Sequence, residues 1–77
     1  MKIRLVRGSL LLAESSRRRL ENSSFPSLEQ ARVEVQHLFP NHLVFKEPGK
    51  ISVVLRDRSF QVASFLEVRE GPLVYRH

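Results

Sequence analysis

Seventy-seven residues, none of them cysteine, bound this chain to one domain (residues 1–77) built without disulfides or thiolate zinc sites. An apolar share of 42% is too high for a disordered chain. No apolar run approaches the roughly 20 residues that cross a bilayer, so a cytoplasmic domain is expected.

Ten Arg and three Lys face seven Glu and one Asp, and the surplus is uneven: net +4 falls in Met1–Ser27 and net +1 in Leu28–His77. Such asymmetry points to an anionic partner, a nucleic acid or an acidic protein surface, although a GC-rich genome also yields Arg-rich chains. The run Leu10-Leu11-Leu12-Ala13 is too short for a secretory signal, and Glu14 and Glu21 count against a mitochondrial presequence.

A two-residue turn at Arg7-Gly8 would pair Leu5 with Leu10 and Ile3 with Leu12, which predicts a hairpin over Lys2–Ala13. Residues 14–26 read as a basic polar linker, with at most one helical turn anchored by Leu20, because Arg17-Arg18-Arg19 continues no apolar stripe. A helix is expected from Leu28 to Phe39. Ser27 suits the N-cap, Gln30 stands at the capping-box position, and Pro40 stops it. On its wheel Leu28, Ala31, Val35, Leu38 and Phe39 share one face, so it packs against something by that side alone.

Strands are expected at Leu43–Lys46, Ile51–Arg56 and Phe60–Val68, with a short edge strand at Leu73–Tyr75 beyond Gly71-Pro72. Cross-strand partners share a face, so loop parity can be read from the apolar pattern. A two- or four-residue turn at Asp57-Arg58 would pair Leu55 with Phe60 and Val53 with Val62. An odd-length connection at Pro48-Gly49 would bring Leu43 and Phe45 onto the face of Ile51, Val53 and Leu55. The expected fold class is therefore α+β, an antiparallel sheet in the order β-β-α-β-β-β with one amphipathic helix on one face.

The proposed hairpin and linker would collect Lys2, Arg4, Arg7, Arg17, Arg18 and Arg19 into one anion-binding patch, with Arg forks suited to phosphate oxygens. Phe25, Phe39, Phe45 and Phe60 fall at core positions, whereas Phe65 breaks the alternation of Phe60, Val62, Leu66 and Val68. Phe65, Leu73 and Tyr75 are therefore candidate protein-interface residues.

Catalytic patterns are lacking. Glu34 and His37 have the spacing of carboxylate-bridged metal sites, but one copy on one helix does not make such a site, and His42 and His77 add nothing systematic. The sole Asp, Asp57, sits in an expected turn, and the three Gly form no phosphate loop. Neither an enzyme nor a cofactor or metal is expected. The sequence points to a small basic binding module with nucleic acid marginally preferred. The alternative is a protein-interaction module (a small subunit, an adaptor, a phage-type inhibitor or a homodimer formed through a sheet edge).

Overall fold

The computed structural model describes residues 1–71. In chain order it comprises β1 (Ile3–Gly8), α1 (Glu14–Asn22), α2 (Leu28–Leu38), β2 (Leu43–Glu47), β3 (Lys50–Arg56) and β4 (Val62–Glu70). The α+β class and the antiparallel sheet stand as expected, but one strand and not two precedes the helices, and two helices and not one lie among the described residues. Leu73–Tyr75 lies outside the described residues.

Helix α2 begins where the sequence places it. The Ser27 side chain accepts the Gln30 N–H at 3.2 Å, satisfying one of the helix's free amides. At the far end Gln36 Nε2 donates to the carbonyls of Phe39 and His42, and Pro40 blocks continuation.

Helix α1 replaces the expected linker. Its apolar content is slight, with Leu20 its one buried residue, but charge spacing supports it. Arg18 pairs with Glu14 and Arg17 with Glu21, both at i,i+4, with an acid in the first turn and Arg19 in the last. Glu21 Oε2 also accepts the Leu5 N–H at 2.9 Å, tying the helix to the free edge of β1.

The sheet order is β1-β4-β3-β2, antiparallel throughout. The expected hairpin over Lys2–Ala13 does not form. β1 runs beside β4, and Ser9 and Leu10 continue alongside Phe65, which accepts the Leu10 N–H and donates its own N–H to Ser9 Oγ. Gly8 serves close strand approach and not a turn, since a Cβ there would stand 2.3 Å from the Phe65 carbonyl oxygen.

The Pro48-Gly49 connection is two residues long and not odd, with Glu47 opposite Lys50. Pro fits the first central position of a type II turn, and Gly49, at φ 71°, fits the second. Leu43 and Phe45 consequently face away from Ile51 and Val53.

At the β3–β4 turn the expected pairs are also displaced. Val53 opposes Leu66 and Leu55 opposes Ser64, and Ala63 is the extra residue of a bulge between Ser64 and Val62. That one residue carries Val62 to the opposite face.

Both helices pack on one side of the sheet. Leu20, Phe25, Leu28, Ala31, Val35 and Phe39 form one core with Ile3, Ile51, Val53, Leu66 and Val68, and Leu5, Leu10 and Leu12 pad its margin. No described helix packs on the other side. A domain of this size nets only roughly 3–5 kcal/mol from its core. Gly8→Ala should therefore lower unfolding free energy by about 1–3 kcal/mol, the usual cost of an overpacked contact and a large fraction of the total. Urea titration followed by circular dichroism measures it, with Gly49→Ala as a comparison that carries positive-φ strain without a clash, since no atom outside its chain neighbours lies within 4 Å of the added Cβ.

Candidate functional site

The uncovered face can be read strand by strand from the register. One row across β1, β4, β3 and β2 is Arg4, Arg69, Lys50 and Glu47. The next is Arg7, Glu67, Ser52 and Phe45, followed by Phe65, Val54 and Leu43. Arg56 opposite Val62 closes the face at the β3–β4 turn. Four of the five cations thus gather at one end and apolar groups at the other, where Arg56 is the fifth, with two negative side chains in all.

Phe65 lies on this face with 37% of its surface exposed, and Phe45 with 46%. The Arg7 guanidinium lies 5.9 Å from the centroid of the Phe65 ring, within cation–π range. Strand spacing and rise put the Phe45 and Phe65 Cα atoms roughly 12 Å apart, two strands across and two residues along. Leu43, Val54 and Val62 complete the apolar end.

At the cationic end one carboxylate serves three cations. Glu67 lies 3.0 Å from Arg69 and 3.8 Å from Arg7, and Lys50 approaches it at 4.0 Å while lying 3.3 Å from Glu47. The hydrogen bond from Arg69, then the nearby charges of Arg69, Arg7 and Lys50, hold the Glu67 carboxyl below its ordinary range. Arg4 forms no ion pair among the described residues, and its buried Nε has no hydrogen-bond partner. Like charges directly opposite each other, as Arg4 and Arg69 are, cost stability in a sheet. Here they stand in one row with Lys50.

The six cations expected to form one patch are not gathered. Arg4 and Arg7 belong to the open face, whereas Arg17, Arg18 and Arg19 ride on α1, on the covered side. Consecutive helix positions are about 100° apart, so those three fan around the helix. Arg17 borders the groove between α1 and the edge of β1, and Arg19 borders the cleft between the helices beside Glu34 and His37. Arg17 and Arg18 are each met by a glutamate, and Lys2 Nζ donates to the Asn22 carbonyl. Lys50, Arg56 and Arg69, which the sequence reading left out, lie on the open face. Strand periodicity could have placed them there only once the register was known.

Phenylalanines are likewise redistributed. Phe25 and Phe39 are core residues as expected. Phe45 and Phe60, expected in the core, are exposed, Phe60 to 80%. Phe65 points away from the core side, as its break in alternation implies, while Leu73 and Tyr75 lie outside the described residues. Asp57 is a turn residue, its Oδ1 accepting the N–H groups of Ser59 and Gln61. Among the described residues no group of three or more His, Asp or Glu is placed to hold a metal, and no helix is long and apolar enough to cross a membrane.

Compared with known proteins, the chain matches no family model, no curated protein and no solved structure.

The Glu67 cluster has a pH signature. A carboxyl held below its ordinary value stabilises the fold fully above the unfolded-state value, and that contribution is lost as pH falls through the folded-state value. The urea midpoint should therefore decline as pH is lowered from about 5 toward about 3, as a carboxylate with depressed pKa requires. Glu67→Gln should flatten part of that decline, and an unchanged slope would remove Glu67 as its source.

Proposed function

We propose that this chain binds single-stranded nucleic acid on the open face of its sheet. One observation carries the reading: the face left bare by the helices holds exposed phenylalanine rings and a net positive row side by side. Unpaired bases stack on aromatic rings with little regard to sequence, while phosphates are neutralised by Arg and Lys. A sheet face suits splayed, unstacked bases better than a duplex, which is read by elements that enter a groove. In this arrangement Phe65 and Phe45 are the stacking platforms, and Arg4, Lys50, Arg69 and Arg7 hold the backbone. The helices and the arginines of α1 are support.

The excess of cations over carboxylates on the face favours an anionic ligand over a neutral protein surface. A second reading rests on the apolar end. Leu43 and Phe45 are about half exposed on β2, an edge strand, and such an edge invites pairing with a second copy. Light scattering over a concentration series separates the two, because self-association raises the mass without any oligonucleotide present.

Fluorescence anisotropy with labelled oligothymidylate and oligouridylate at low salt tests the first reading. Phe65→Ala should weaken binding by about 1–3 kcal/mol. Each of Arg4→Gln, Lys50→Gln and Arg69→Gln should lower the slope of log K against log salt by about 0.7, the single-strand value per phosphate contact. Arg18→Glu, on the opposite side, should leave that slope unchanged. Glu67→Gln should tighten binding by removing a negative charge from the face. If wild-type protein leaves both oligonucleotides free at low salt, the reading is wrong.

A further inference from the structure

The tip of the β3–β4 hairpin carries a feature the sheet face does not explain. Phe60 has φ 61°, the left-handed region, and is the one non-glycine residue with positive φ among the described residues. For a bulky side chain that conformation is an outlier which glycine would adopt without strain. The surroundings hold it in place. Asp57 Oδ1 binds the amides of Ser59 and Gln61, and Phe60 N–H donates to the Asp57 carbonyl. Gln61 O accepts the Asp57 N–H, and Arg56 Nη1 donates to the Phe60 carbonyl at 2.7 Å. This is a three-residue hairpin loop whose left-handed position, normally glycine, is filled by phenylalanine.

Burial does not account for the choice, since the ring is 80% exposed. An aromatic residue has thus been placed where it costs backbone strain and gains little packing. Strain over-determined by its surroundings clusters at ligand-contacting positions. The loop adjoins the Arg56–Val62 end of the open face, and Arg58 occupies the loop beside Phe60.

Resting on the single-strand reading above, we infer that Phe60 is a preorganised finger that stacks on an unpaired nucleobase beyond those held by Phe65 and Phe45. The hydrogen-bonded loop fixes the backbone and the direction in which the side chain leaves it before the ligand arrives, so little backbone entropy is lost on contact. Arg56 and Arg58 flank the finger with charge for the adjoining phosphates. The ligand then runs from the row of Arg4, Arg69 and Lys50, across the two rings, to the hairpin tip.

Phe60→Gly separates strain from recognition because it removes the ring and relaxes the backbone together. The expected result is a higher urea midpoint than wild type, with oligothymidylate affinity roughly tenfold or more weaker, as loss of one stacked base implies. Phe60→Ala should weaken binding equally while keeping the strained backbone, and Phe60→Tyr should retain affinity. A Phe60→Gly protein that binds as tightly as wild type, while Phe65→Ala binds weakly, overturns the finger and leaves the sheet-face reading standing. Absence of binding by the wild type overturns both. A lowered urea midpoint in Phe60→Gly would overturn the strain argument.

Discussion

The arrangement depends on β4 being hydrogen-bonded on both sides, to β1 from the start of the chain and to β3 just before it. Bringing β1 there requires a strand from the first residues to lie within reach of Phe65 and Leu66, and the bare backbone of Gly8 makes that approach possible. Further ties converge on the same region. The Met1 ammonium and carbonyl both bond to Phe25, and the Lys2 carbonyl accepts the Gly71 N–H. With β1 at one edge and β2 at the other, the connection between them must traverse the whole width of the sheet. It does so as two helices over one face, which buries the core and leaves the other face without a described helix upon it.

That traverse also sorts the charge. On α1, arginines alternate with glutamates at helical spacing, so Arg17 and Arg18 find partners on their own helix. Exposed pairs of this kind contribute little to stability and are screened by salt, but they leave little local field. Across the sheet, charges meet according to register and not according to neighbours in sequence. Arg4 faces Arg69 because β1 and β4 are paired there, and Glu67 then lies among three cations. The net charge of the chain is a sequence property, whereas the surface on which it is unbalanced is set by strand pairing.

Local chemistry made α2, its Ser27 cap and its buried face legible from sequence, and β-propensity located the three later strands. Pairings hidden in loop geometry were not legible. Gly8 follows an arginine between two apolar pairs, which is what a tight turn looks like, and nothing local reveals that its missing Cβ faces a strand nearly sixty residues away. At Pro48-Gly49 the apolar pattern misleads on parity, because Leu43 and Phe45 do not belong to the core. It misleads again at the next turn because the bulge at Ala63 shifts register without altering composition. For α1 the i,i+4 pairing of Glu14 with Arg18 was present in the sequence, and weighing apolar stripe over charge spacing hid it. The candidate site suffered most, since a face spread over four strands is visible only when every register is known.

These displacements share a direction. The even turn at Pro48-Gly49 turns Phe45 outward, the Ala63 bulge turns Val62 outward, and the left-handed residue in the next loop presents Phe60 to solvent. Burying one such side chain stabilises a fold by about 1.5–3 kcal/mol, comparable with all that a core of this size nets. A sequence shaped by stability alone would place glycine at position 60 and polar residues at 45 and 65, since a sheet face open to water tolerates them at no loss to the core. Exposed phenylalanines at 45, 60 and 65, on or beside a face with more cations than carboxylates, run against that expectation at every position. Recognition of a ligand with both flat rings and negative charge would account for all three positions, and that is the physical basis of the proposed binding face.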